Sequence, residues 1–435
     1  MGMILVRNYV KFVLSAVLLW GVACGKQPPE ISWTYSDADV IGKSGHNNTS
    51  AINIDIYLDA TLSMVGFAKT RSSIYNRFLD ELEIAAAGSW KTANVQFFKF
   101  GTKIKPIDRQ GFKAAKAPAF YRERGIFERT NIDSVINRTN NERVSVILTD
   151  LFQDDGDVNS IVLQIKEKCF VRGVQTAVLA VPSDFNGTVF DARVAPYRYK
   201  SVPGDKSTYR PFYALMFGEE RNLQRMLEFL KTAEYVDEEY ILIISRRLIK
   251  KFKARVTKAR KSRSLNMRKM RTPDRYPHHF GFSLRKGKAT GTILAGIRFE
   301  RAPHTADFQK RALELMVFRK SSLPGAKITA QDSVLASDLK LTGLERDGDS
   351  LTATIDLDLA EPPGIYSYLV YLQLPQNGGF ELPRWIDVFS SQNPTASRDP
   401  NKTLNLRKFV IDLMRASQSF SQPQIAKFYM TVYKR

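Results

Sequence analysis

INIDIYLDATLS, residues 52–63, decides how this chain is read. Ile52–Leu58 has the make-up of a buried strand, and Asp59, Thr61 and Ser63 follow directly at its carboxyl end. Strand-like and helix-like stretches then alternate. Apolar spacing at Phe78, Leu79, Leu82 and Ala86 predicts a helix over Ile74–Ala87, and NVQFFKF (Asn94–Phe100) reads as a second strand. RVSVILT (Arg143–Thr149) is the third, followed by a helix over Val158–Cys169. VQTAVLAV (Val174–Val181) is the fourth and PFYALMF (Pro211–Phe217) the fifth, with a helix over Glu219–Lys231 after it. Such alternation predicts an α/β domain whose mostly parallel sheet is covered on both faces. Ligands of such sheets bind at the carboxyl ends of the strands.

Oxygen-bearing side chains gather at those ends. Asp59, Thr61 and Ser63 lie in D-A-T-L-S, Thr130 lies in RTNID before a helix, and Asp150 ends the third strand in VILTDL. In this order they resemble the von Willebrand factor A family and its metal-ion-dependent adhesion site. The family's D-x-S-x-S is matched by Asp59, Thr61 and Ser63, its isolated Thr by Thr130, and its T-D by Thr149 and Asp150. Two positions depart from the pattern: Thr61 stands where Ser is usual, and Leu151 where Gly is common. The resemblance spans roughly Ala51–Lys231 and implies a Rossmann-like fold and a partner protein whose carboxylate completes the metal's shell.

The chemistry is coherent in its own right. Mg2+, or another hard divalent cation, prefers near-octahedral oxygen ligands and keeps some water. Hydroxyls of Thr61, Ser63 and Thr130 can bind it directly, while Asp59 and Asp150 supply charge through water. With few direct protein charges, the metal stays electrophilic toward an incoming Asp or Glu. A blander reading stands beside this one, in which each residue separately caps a helix. Asp154, Asp155 and Asp157 read as a turn capping the next helix, not as a second cation site. Ser183–Tyr209 is long for a strand-to-strand connection, and its TVFDARV suggests a hairpin that decorates the packing.

The first residues read as an export signal. Arg7 and Lys11 precede the apolar run Phe12–Val22, too short to span a bilayer, and Cys24 follows Gly21 and Ala23. This resembles a bacterial lipoprotein signal with acylation at Cys24, although Gly21 stands where Leu is usual. Under the ordinary small-residue cleavage rule, Cys24 would instead be a free thiol able to pair with Cys169. If Cys24 is acylated, Cys169 is a lone buried thiol. Residues 1–23 are thus a signal peptide and 24–50 a polar, breaker-rich stalk. Gly25 after the cysteine points to a periplasmic-side or outer-membrane address.

Hydrophobic residues at 43% and charged residues at 25% are ordinary for a globular protein, so disorder is not the default. Two cysteines exclude a disulfide scaffold and a thiolate zinc cluster. The histidines show no ligand or triad spacing, and His278 and His279 read as a polar loop pair after Pro277. The formal net charge of +21 is unusual, and the stretch Ser245–Arg275 supplies most of the surplus. Behind an export signal, anionic lipid or an acidic protein suits it best. With few aromatics to stack bases, nucleic acid ranks last.

Beyond His279 the pattern is β-rich and sandwich-like: TGTILAGIRFE, LTATIDLDL and IYSYLVYLQL alternate as strands, with Asp356 and Asp358 facing solvent. A helix over Leu404–Ala416 and a strand over Ala426–Tyr433 close the chain. The domains expected are 51–233 (A-type), 234–279 (basic connection) and 280–435 (β-rich). The function expected is a non-enzymatic, metal-dependent assembly module, since no His or Glu in the three motifs can serve as a general base. The competing expectation is a metal-independent structural subunit of an envelope complex, gripping lipid or an acidic partner through its basic segment.

Overall fold

A computed structural model describes residues 51–151, 159–191, 194–245, 247–260, 263, 266–270, 278–322, 333–375, 378–391, 399–420 and 423–435. The signal, Cys24, the stalk and Asp154, Asp155 and Asp157 lie outside the described residues, as do Arg246, Lys261, Arg271 and Arg275 of the basic stretch.

The described chain is mixed α/β and rich in strand. Its first sheet contains β1 (Ala51–Asp59), β2 (Thr92–Phe100), β3 (Ile104–Ile107), β4 (Arg143–Thr149), β5 (Gln175–Ser183), β8 (Arg210–Gly218) and β9 (Ile241–Ile244), in the order β3-β2-β1-β4-β8-β5-β9. Strand alternation splits β1 between two cores. Ile52, Ile54, Ile56 and Leu58 join one cluster with the helices Ile74–Gly88 and Glu220–Leu230, while Tyr57 joins the cluster on the other face. Each such large apolar side chain contributes about 1.5–3 kcal/mol on burial. Ser73 caps the first of these helices by accepting from the Asn76 N–H at 3.1 Å.

The sheet differs from the expected one in direction. Only β1–β2 and β1–β4 pair in parallel; β3, β8 and β9 run antiparallel to their neighbours. The reason lies in the connection from β5 to β8. A parallel return needs a crossover of a dozen or more residues, usually a helix. The described residues of 184–209 contain no α-helix, forming instead the hairpin β6 (Asn186–Asp191) and β7 (Val194–Lys200) and the 3-10 turn Lys206–Thr208. PFYALMF therefore returns beside β5 in the opposite sense and wedges between β5 and β4.

The segment 234–279 is not a connection. Ile241–Ile244 closes one edge of the first sheet, and Ile249–Lys258 and Met267–Met270 are strands of the second half. Lys and Arg dominate its composition, but Ala254 and Val256 alternate inward and supply the buried stripe a strand needs. His278 and His279 are likewise no loop pair in the open. The His278 ring stacks on Phe252 at 5.0 Å, and His279 opens the strand His279–Leu284 with Nε2 2.8 Å from Thr431 Oγ1.

The second half has a four-stranded and a six-stranded sheet sharing one apolar core, which includes Val256, Ile293, Ile355, Tyr368 and Phe428. Between its strands Gly364–Gln373 and Gln424–Lys434 the chain leaves the sandwich. Trp385, Phe389 and the helix Leu406–Gln418 pack on the open face of the first sheet, against Ile165, Val178 and Leu242. That face therefore carries the helices Ile132–Ile136, Asn159–Lys168 and Leu406–Gln418, the last borrowed from the far end of the sequence. The two halves are interlocked, which a boundary near residue 280 does not convey.

Candidate metal centre

Asp59 ends β1 and Asp150 follows β4, two neighbouring parallel strands whose partners lie on opposite sides, β2 beside β1 and β8 beside β4. This is the switch point of the sheet, where a crevice opens at the strand ends. After Asp59 the chain turns at once into the short 3-10 helix Leu62–Met64 and the turn of helix Val65–Ala68. The hairpin holds that turn down: Phe185 meets Phe67 edge-on at 4.9 Å, and Gly187 lies so close that a Cβ there would stand 2.6 Å from the Gly66 Cα.

The expected residues converge. Asp59, Thr61, Ser63, Thr130 and Asp150 are all buried, at 0, 4, 4, 6 and 2% exposure, so their polar atoms depend on one another. The Thr61 hydroxyl donates to Asp59 Oδ1 at 2.6 Å and accepts from the Thr130 hydroxyl at 3.2 Å. The Ser63 hydroxyl donates to Asp150 Oδ1 at 3.1 Å and lies 3.1 Å from Thr61 Oγ1. Loops after β1 and β4 and the loop before the helix Ile132–Ile136 thus meet at one point.

Capping does not explain this. Thr61 precedes the 3-10 helix but makes no side-chain cap, and Asn131, not Thr130, caps the helix Ile132–Ile136 by accepting from the Ser134 N–H at 3.3 Å. Asp59 does accept from the Thr61 N–H at 3.1 Å, a local turn bond that fixes one carboxylate oxygen toward the motif.

Thr149, the T of the T-D motif, belongs to the centre as well. Its hydroxyl donates to Asp59 Oδ2 at 2.8 Å and accepts from the Leu151 N–H at 3.1 Å. It therefore orients Asp59 from behind. Leu151 itself has φ +58°, the left-handed conformation that glycine adopts without strain. The loop thus keeps a glycine-like path with a leucine in it, which costs about 1–2 kcal/mol. Burial of the Leu151 side chain in the core below offsets that cost.

Burial and then the Asp150 charge push the Asp59 carboxyl up to about 7, against the hydrogen bonds from Thr61 and Thr149. Each hydroxyl has a single proton. With both carboxylates ionised, Thr61 spends its proton on Asp59 and Ser63 on Asp150, so the 3.1 Å contact between their oxygens has none. Either a proton on Asp59, passed along the chain of hydroxyls, or a cation between the oxygens relieves it.

The spacing fits a small hard cation. At Mg2+–oxygen distances of 2.0–2.1 Å, neighbouring octahedral ligands stand about 2.9 Å apart. The hydroxyl oxygens here stand 3.1 and 3.2 Å apart. Thr61, Ser63 and Thr130 would hold the ion directly, with Asp59 and Asp150 balancing its charge. Among the described residues no three His, Cys, Asp or Glu side chains gather as metal ligands, so a softer metal has no comparable cluster there. No protein-family model matches this chain, and no curated protein matches it.

Proposed function

We propose that this protein is a metal-dependent binding and assembly module, of the von Willebrand factor A type, which recruits a partner carboxylate through a divalent cation. The observation that carries this reading is the convergence of the Thr61, Ser63 and Thr130 hydroxyls, 3.1 and 3.2 Å apart, between two buried carboxylates. A bound Mg2+ would be balanced by Asp59 and Asp150 and would offer an open position to an Asp or Glu of the partner. The reading is non-catalytic. The site's own members are carboxylates and hydroxyls, and each has a structural use: Thr149 orients, Asp59 and Asp150 balance charge, and the three hydroxyls ligate.

The envelope location is part of the same proposal and rests on the N-terminal sequence, with Cys24 acylated and 24–50 as the stalk. No helix among the described residues is long and apolar enough to cross a membrane. Mass spectrometry of the mature N-terminus tests it directly.

Selection of displayed peptides on the immobilised protein tests the binding mode. Binders chosen in Mg2+ should carry an obligatory Asp or Glu, lose affinity when it becomes Asn or Gln, and elute with EDTA. Binders indifferent to EDTA and to the acidic residue contradict the proposal. A second reading is favoured by the raised Asp59 carboxyl: protonated Asp59 satisfies the cluster without metal, leaving a metal-independent structural subunit.

A further inference from the structure

The basic stretch folds into a definite surface. Strand Ile249–Lys258 is one edge of the four-stranded sheet and Met267–Met270 one edge of the six-stranded one, and the two touch along one side of the sandwich. Lys251, Lys253, Arg255, Lys258, Arg268 and Lys269 are all exposed there. The register sets Lys253 opposite Arg298 and Arg255 opposite Gly296. Like charges directly opposite destabilise a sheet.

Glu300 pairs with Lys250 and Lys251, but Lys253, Arg255 and Arg298 have no ion-pair partner among the described residues. Asp356 on the same sheet is taken by Thr292 and Arg263, at 2.7 and 3.1 Å. Glu345 and Asp347 stand on the opposite edge strand, Leu339–Asp347. They stand three strand spacings, about 14 Å, from Lys253 and Arg255 and two spacings, about 10 Å, from Arg298, beyond the ~8 Å screening length at physiological salt. Charged edges do protect sheets from aggregation. Arg298, however, lies one strand in from the edge, on Thr290–Arg301, where both sides are already paired.

We propose that this edge is a contact surface for anionic lipid headgroups. It is strongly basic, with Glu300 already paired to Lys250 and Lys251, and no exposed large hydrophobic residue lies on it to anchor a protein partner. The one aromatic ring on the first strand, Phe252, is stacked on His278 and offers no platform for bases. A fluid layer of negative charge needs neither. The proposal rests on the envelope reading, since the Cys24 anchor would hold the sandwich within reach of such a layer, but it is independent of the metal.

The test uses the full chain with Cys24→Ser, purified without acylation and kept in EDTA, so neither acyl chains nor divalent bridges contribute. Sedimentation with phosphatidylglycerol-containing vesicles should show binding that weakens with salt, with little on phosphatidylcholine alone. The triple variant Lys253→Gln, Arg255→Gln, Arg298→Gln should lose roughly fivefold per cation removed. Its melting temperature should hold or rise, because the like-charge pair is gone, so misfolding cannot explain the loss. Equal binding to neutral vesicles, full retention by the triple variant, or preference for single-stranded DNA over anionic vesicles in competition each overturns the proposal. Mg2+ titration of the same variant should be unchanged, which separates this surface from the metal centre.

Discussion

The hydroxyl oxygens of Thr61 and Ser63 face each other at 3.1 Å, while each hydroxyl already donates to a different carboxylate. Thr61 is the hub, touching Asp59, Ser63 and Thr130. Thr61→Val keeps the shape but strands the buried Asp59 and Thr130 groups. It should lower stability by about 1–3 kcal/mol in metal-free urea unfolding. A variant as stable as the parent would mean the contacts are incidental.

Stability should depend on pH in two opposite senses. Asp59 is pushed up to about 7 by burial and by Asp150, while an ordinary Asp titrates near ~3.9. The folded state therefore holds this proton more tightly. Its contribution is fully present below pH ~4 and lost as the pH rises through about 7. His278, His279 and His304 are all lowered by burial, so theirs is present above ~6.5 and lost as the pH falls. Calorimetric scans in EDTA with Asp59→Asn should remove the first slope and leave the second. Mg2+ should raise the melting temperature most above neutrality, where no proton competes; a shift independent of pH contradicts this.

Thr149 acts on the centre through Asp59. Thr149→Val should weaken Mg2+ affinity by roughly 10–100-fold, as loss of an outer hydrogen bond does at other metal sites, with the ion still bound. Equal affinity in parent and variant would remove Thr149 from the account.

What the sequence conveyed, and what it did not, follows from what periodicity encodes. Strand positions such as Arg143–Thr149, and the order of D-A-T-L-S, T-N-I and T-D, are local properties of the chain and were legible. Strand direction is not local. PFYALMF reads the same either way, and the hairpin before it, in place of a crossover α-helix, goes with the antiparallel return. The amphipathic stripe of Leu406–Gln418 announced a helix but not which half would cover it. Thr149 escaped because its hydroxyl works behind Asp59, a role that spacing cannot signal.

Leu151 gives an inverted alanine–glycine comparison. At ordinary positions glycine is the worse substitute. At φ +58° alanine keeps the strain that glycine relieves. Leu151→Ala and Leu151→Gly both lose the buried side chain, yet Leu151→Gly should be the more stable of the two by about 1 kcal/mol or more in urea unfolding. The usual order would show that this backbone is not left-handed in solution.

The interlocked halves should unfold together. Phe409 and Leu413 of the borrowed helix sit in one cluster with Val178 of β5 and Leu242 of β9. Phe409→Ala should cost about 3–5 kcal/mol. Hydrogen exchange should speed up in β5 and β9 as well as within the helix. A change confined to the sandwich would mean the halves are separable.

The most direct measurement is calorimetric titration of the purified protein with Mg2+ above pH 7, beside the double variant Thr61→Ala, Asp150→Ala. Saturable uptake of one ion by the parent and none by the variant is the result expected. Uptake that is identical in both proteins, or missing from the parent, contradicts a cation held by these side chains.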